Sequence, residues 1–184
     1  MAEKETLIDA KVLYEGPIFD IETQAVQLAS GQTAKRDIVR HVPAIAVLAF
    51  QDSDHIILER QWRATIGDFI LEIPAGKLDQ RDINDPIHAV RRELNEELRM
   101  HTDDIHQVMG FYETVGFSDA YMHLYTAHDL QPVPEDEQLP RDVGETMDLV
   151  TVSYDEMLAM FQRGELNDQK TITAFLYWAF IRGN

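Results

Sequence analysis

The sequence predicts a mixed α/β fold, and three observations carry that prediction. Short β-branched and aromatic runs, separated by Gly, Pro and Asp turn signals, fill the stretch up to Gly76. A helical apolar period follows between Pro86 and Arg99 and returns twice near the C-terminus. Strand-like segments come back between the helices, without the regular strand–helix alternation of a parallel βαβ domain.

Taken in order, Lys11-Val12-Leu13-Tyr14 comes before the turn signal Glu15-Gly16-Pro17, and Ile18-Phe19-Asp20-Ile21 and Ala25-Val26-Gln27-Leu28 lie between it and Ser30-Gly31-Gln32, the pattern of hairpin-linked strands. Ile45 to Phe50 is short and continuously apolar, as in a strand buried on both faces. His55 to Glu59 follows the Asp52-Ser53-Asp54 break, which has the length of a hairpin, and Phe69 to Ile73 stops at Pro74-Ala75-Gly76. The first helix is expected from Pro86 to Arg99, with Asp85 as N-cap and Pro86 in the first helical position. Ile87, Val90, Leu94 and Leu98 fall within an arc of roughly 80°, a stripe that must face a core. Strands are expected at Val108 to Glu113, Tyr121 to Ala127 and Met147 to Val152, with an acidic, Pro-rich loop from Gln131 before the last. Ser153-Tyr154-Asp155-Glu156 has the capping-box spacing and opens a helix that Gly164 ends; a final helix runs from Asp168 to Phe180.

The 184 residues include 33 Asp plus Glu against 16 Lys plus Arg, a formal net charge of -17. That excess excludes polyanionic partners bound without metal: nucleic acid and anionic membrane surfaces need clustered cations. At 45% hydrophobic residues the chain has enough apolar material for one domain with an appended subdomain. The absence of cysteine removes disulfides, thiolate nucleophiles and zinc–thiolate sites. Met1-Ala2-Glu3-Lys4-Glu5 has no apolar signal core, and the longest apolar stretches, Val42–Phe50 and Ile172–Ile181, are too short to span a membrane. The expectation is a soluble, cytoplasmic protein.

Glu93, Glu96 and Glu97 stand at i, i+3 and i+4 of the first helix, beside its apolar stripe. Like charges at those spacings repel, so either solvent and Arg91, Arg92 and Arg99 relieve them, or a hard divalent cation does. No histidine spacing suggests a metal site.

The run Arg92-Glu93-Leu94-Asn95-Glu96-Glu97, downstream of Pro74-Ala75-Gly76-Lys77-Leu78-Asp79, resembles the Nudix box and matches its R-E-U-x-E-E helix core in full. The loop from Gly76 to Arg92 is two residues longer than the family pattern. The box's first Glu falls on Asp82 counted forward or on Asn84 counted back, and its late Gly is replaced by Arg99, which predicts a different helix ending. Flanking segments, among them Tyr14-Glu15-Gly16, Arg60-Gln61-Trp62-Arg63, Leu71 to Asp79, Gly116-Phe117-Ser118-Asp119 and Gly164 to Thr171, are similar to the ADP-ribose pyrophosphatase branch of the Nudix hydrolases over most of the chain.

The resemblance implies a Nudix α/β/α sandwich with a mixed sheet over residues 46–184, and an N-terminal antiparallel β subdomain over residues 1–45 that joins a second copy in a homodimer. It implies an Mg²⁺-dependent enzyme, with Mn²⁺ as a possible substitute, that splits ADP-ribose and water into AMP and ribose 5-phosphate. Another nucleotide sugar, an NADH-like dinucleotide, or ligand sensing without turnover are the alternatives. Metal would be held by Glu93, Glu96, Glu97 and the backbone carbonyl of Ala75, with Arg92 orienting a neighbouring Glu and Glu145 supplying the base or a last ligand. Arg63, Glu72 and Arg36 would serve the diphosphate or ribose, Phe19 or Trp62 the adenine, and Ser118 a phosphate.

Overall fold

The computed structural model describes residues 3–79, 81–82 and 84–183; Met1 and Ala2, at the start of the expected N-terminal subdomain, lie outside the described residues. The chain divides into two compact units, Met1–Pro43 with Phe111–Met122, and Ala44–Gly110 with His123–Asn184.

The first unit is built on β1 (Thr6–Glu15), β2 (Phe19–Gln27) and β3 (Thr33–His41), an antiparallel sheet in that order. The β2–β3 ladder is unbroken from Phe19↔His41 to Gln27↔Thr33, whereas β1 slips register at Leu7/Asp9 and Val12/Tyr14. Asp119 fastens the 111–122 segment to β3, accepting from the His41 amide at 2.9 Å and from Arg40 at 3.0 Å. Burial opposes the Asp119 charge, but these bonds hold its carboxyl below the usual range. β1 is exposed along its whole length, including Leu7, Ile8, Val12, Leu13 and Tyr14.

The second unit holds β4 (Ala44–Ala49), β5 (His55–Arg63), β6 (Asp68–Glu72), β7 (Ala75–Lys77), α1 (Pro86–Leu98), β8 (Met100–His101), the greater part of β9 (Ile105–Tyr112) and of β10 (Tyr121–Ala127), β11 (Gln131–Pro132), β12 (Met147–Ser153), α2 (Tyr154–Gln162) and α3 (Gln169–Arg182). One sheet has the order β7-β4-β10-β9 and another β12-β5-β6; β8 and β11 form a short pair. That pair is two residues a side, too short to leave an alternating pattern in the sequence. The stripe on α1 buries as its spacing requires: Val90, Leu94 and Leu98 pack with Ile45, Val47, Ala49, Ile57 and Tyr125. Trp178 of α3 meets Phe50 and Tyr154 edge-on. No helix among the described residues is long and apolar enough to cross a membrane.

Two expectations need correction. β4 and β5 are not a simple hairpin: they meet at one bridge, Phe50↔Ile56, then enter different sheets. Asp52 closes the turn by accepting from the amides of Asp54 and His55, and the strands part because each is buried in its own layer. The α1 ending is also not a new one. Arg99 takes the left-handed conformation that the family's glycine would take, with φ 60° and ψ 32°. Its side chain compensates, donating to the carbonyls of Asn95 at 3.3 Å and of Leu139.

Arg99→Ala removes those bonds and keeps the strained backbone, whereas Arg99→Gly removes both. Urea unfolding should therefore place the Gly variant about 1–2 kcal/mol above the Ala variant; equal stabilities would show that Arg99 carries no left-handed strain.

Candidate active site

α1 sets the site. Pro86 stands in its first turn, while Asp85 occupies the N-cap position without a side-chain cap bond, so the expected cap is positional only. Glu93 and Glu97, one turn apart, lie on the buried side with Leu94 and Leu98 and are only 6% and 3% exposed. Glu93 lies flat against the β7 backbone: a Cβ on Gly76 would stand 1.7 Å from its Oε1, so any side chain there displaces the carboxylate. Ala75 precedes that glycine and pairs with Ala46 of β4.

Arg92 gathers the acids around it. Its Nη1 lies 2.8 Å from Glu93 and 2.9 Å from Glu96, and its Nη2 donates to the Lys77 carbonyl at 3.2 Å and to Asp82 at 3.4 Å. Burial works against the guanidinium charge, but Glu93 and Glu96 outweigh it and raise its pKa. Asp82 is fully buried and also receives His88 Nδ1 at 2.5 Å, while Asn84 is exposed. Of the two positions the loop count left open, Asp82 is the one that reaches Arg92.

One guanidinium neutralises these acids only in part. Burial pushes the Glu93 carboxyl up to about 7 despite Arg92, with Glu96 and Glu145 adding to the rise. Glu97 is raised by burial first and then by Glu59, Glu93 and Glu145, and its Oε2 is buried without a partner. Glu59 of β5 behaves likewise: burial and Glu72 raise it, its carboxyl is within hydrogen-bonding reach of Glu97, and its Oε1 has no partner. Among the described residues, no three acidic or histidine side chains already converge as a ligand set. Buried oxygen donors lacking compensating charge nevertheless suit a hard divalent cation such as Mg²⁺.

The acidic loop reaches the site through three ties to α1. Asn95 donates to the Glu137 carbonyl and accepts from the Leu139 amide; Arg99 holds the Leu139 carbonyl; Arg141 donates to the carbonyls of Glu96 and Glu97 at 3.2 and 2.8 Å. Arg141 thereby satisfies two carbonyls that a helix end leaves open. Glu145 is half-buried and close enough to raise both Glu93 and Glu97, while Glu135, Asp136, Glu137 and Asp142 stay exposed.

A second ionic group lies on β5, β6 and α3. Buried Glu72 is held by Arg63 Nε at 2.6 Å and by Lys170, which also lies 3.1 Å from Asp168. The α3 N-terminus is fixed by Asp168, which accepts from Thr171, while Thr171 Oγ1 accepts from the Ile73 amide. Arg63 remains half-exposed. Trp62, its neighbour on β5, projects to the opposite face, half-exposed beside Phe69, and is not brought to the carboxylates.

In the first unit, Arg36 pairs with Glu5 and, with Gly116 and Ser118, lines a cavity of about 360 Å³. Ser118 Oγ accepts from the Ala120 amide, and Phe19 lies tilted against Tyr14 in a separate groove. Glu59, Asn95, Arg141 and Lys170 escape motif-level inspection of the sequence. Glu59 alone left a signal: Ile57, Glu59, Gln61 and Arg63 share one strand face, and the polar members of that face are still buried or half-buried.

An acid whose pKa rises on folding binds its proton more tightly in the folded state. Its stabilisation is complete below the unfolded pKa and is lost as pH rises through the folded one. For Glu93 that window runs from the ordinary glutamate value to about 7. In EDTA, the wild type should lose stability relative to Glu93→Gln across this window, by up to about 3 kcal/mol in urea unfolding; parallel pH profiles would contradict the burial account.

A family model for the NUDIX domain matches residues 40–175. An ADP-ribose pyrophosphatase of Bacillus subtilis (strain 168) is 32% identical over 174 residues, 95% of this chain and 92% of that protein. A methanol dehydrogenase activator of Bacillus methanolicus is 33% identical with the same coverage. The crystal structure of an ADP compounds hydrolase is similar with a TM-score of 0.86 over 100% of this chain and 97% of that one; at 20% identity that likeness speaks to the fold. Matching the family model over residues 40–175, with a mixed α/β fold and the carboxylate helix in place, the chain belongs to the Nudix family.

Proposed function

We propose that this chain is an Mg²⁺-dependent hydrolase that converts ADP-ribose and water into AMP and ribose 5-phosphate, with Mn²⁺ able to replace Mg²⁺. The observation that carries the proposal is the burial of Glu93 against Gly76, with Arg92 as its one ion-pair partner among the described residues, and of Glu97, whose Oε2 has no partner. Glu93, Glu96, Glu97 and the Ala75 carbonyl would hold the cation. When bound, it supplies charge neutralisation at the diphosphate oxygens and acidifies a water for attack.

The remaining work belongs to side chains. Arg92 fixes Glu93 and Glu96, so their oxygens keep one geometry through turnover. Glu145, held in the loop that Asn95 and Arg141 tie to α1, accepts the proton of the attacking water. Arg63 takes the diphosphate, and Glu72 with Lys170 behind it sets the direction of its guanidinium. Trp62 offers an exposed ring for a base, as does Phe19 in the first unit; Arg36 and Ser118, which share a cavity there, are assigned to phosphate or ribose.

The N-terminal subdomain, residues 1–45, is assigned to homodimer formation in a cytoplasmic protein. Support comes from β1, whose Leu7, Ile8, Val12, Leu13 and Tyr14 are each roughly half-exposed.

Incubation with ADP-ribose and Mg²⁺ should release AMP and ribose 5-phosphate, and Glu97→Gln should lower kcat by roughly 100-fold or more. Unchanged turnover in that variant sinks the metal assignment. Release of a different product from a substrate panel would reassign the substrate, an outcome given weight by the relative named for dehydrogenase activation. Arg63→Ala should raise KM about tenfold with a smaller change in kcat. Sedimentation should give a dimer that Leu13→Asp converts to monomer; a monomeric wild type would contradict the subdomain's role.

A further inference from the structure

Glu59 has no place in the box and none in the proposed mechanism, yet it sits against it. β5 presents Ile57 to the cluster under α1, and Glu59, two residues on, faces the same way. It is 2% exposed in a strand whose neighbours Ile56, Ile57 and Leu58 are apolar. Across the β5–β6 ladder it stands opposite another buried acid, Glu72, a pairing that is unfavourable unless charge is supplied.

For Glu72 that charge is present, because Arg63 and Lys170 take its two oxygens. Lys170 acts on Glu59 only through space, and among the described residues no ion pair reaches it. The third nearby cation, Arg141, is engaged with the carbonyls of Glu96 and Glu97. Glu59 Oε1 is buried and unpartnered, as is Oε2 of Glu97, and the two carboxyls lie within hydrogen-bonding reach of each other. A packing role would be met better by an apolar side chain, since a buried carboxylate without a counter-charge is among the costliest groups to keep.

We propose that Glu59 is a further oxygen ligand of the divalent cation, extending the carboxylate set from α1 onto β5 through its neighbour Glu97. This rests on the metal-dependent reading given above. It makes the site of this chain richer in carboxylate than the box alone provides, and so tighter for the cation before substrate arrives.

The test is Mn²⁺ titration of the substrate-free, full-length protein, following free Mn²⁺ by electron paramagnetic resonance, with folding checked by circular dichroism. Glu59→Gln should weaken Mn²⁺ binding by about tenfold or more, the scale on which losing a supporting group at a metal site acts. Wild-type affinity in Glu59→Gln, alongside weakened binding in Glu97→Gln, overturns the proposal and leaves the metal-dependent reading standing. No Mn²⁺ binding by the wild type overturns both. Should Glu59→Gln fail to fold, Glu59→Asp gives the answer: weaker binding supports the ligand role, and wild-type affinity overturns it.

Discussion

Burial of Glu93 and Glu97 on the apolar face of α1 is the constraint on which the surrounding structure depends. Leu94 and Leu98 must pack for the helix to dock, and at helical spacing they carry the two acids into the same dry region. Each carboxylate then loses water that the fold only partly replaces. The chain meets this from several sides: Gly76 gives up a side chain so that Glu93 fits, Arg92 bridges Glu93, Glu96 and Asp82, and Arg141 covers the carbonyls at the helix end. None of these cations reaches the outer oxygen of Glu97. What remains is a buried, oxygen-lined region that the proposed cation would complete.

Charge in the second unit is sorted into two groups of different character. Around Glu72, cations and anions are matched, with Arg63, Lys170 and Asp168 forming a closed set that ties β6 to the start of α3. Around Glu97 they are not. A matched buried network gives rigidity, and an unmatched one gives affinity for a cation, so the two sit side by side with the rigid one supporting the other. This also reconciles the net charge of -17 with an anionic substrate. The local field at the proposed site would be set by the cation it holds and by Arg63, not by exposed acids such as Glu135 and Asp136.

Much of this was legible in the sequence where a short-range pattern has one physical solution. The Ile87–Leu98 stripe can only be a docked helix face, the Ser153-x-x-Glu156 spacing can only close as the reciprocal cap that forms, and the last helix begins at Asp168 as expected, where the structure adds that Asp168 caps it. Arg99 shows the limit. A left-handed residue was unfavourable on local grounds, but carbonyls from Asn95 and Leu139, the latter distant in sequence, supply bonds that offset the strain. Glu59 was hidden for the same reason: its meaning comes from Glu72 across the ladder and Glu97 on another element, neither of which adjoins it in the chain. Trp62 and Arg63 adjoin in the chain, and strand alternation sends their side chains to opposite faces.

The central claim is that the carboxylates around α1 are held unmatched for a divalent cation. Calorimetric melting of the wild type at mildly alkaline pH, with and without millimolar Mg²⁺, tests it most directly, because a ligand that binds only the folded state raises its melting temperature. The account predicts a rise with Mg²⁺ that disappears in Glu97→Gln. A melting temperature indifferent to Mg²⁺ in the wild type would contradict it.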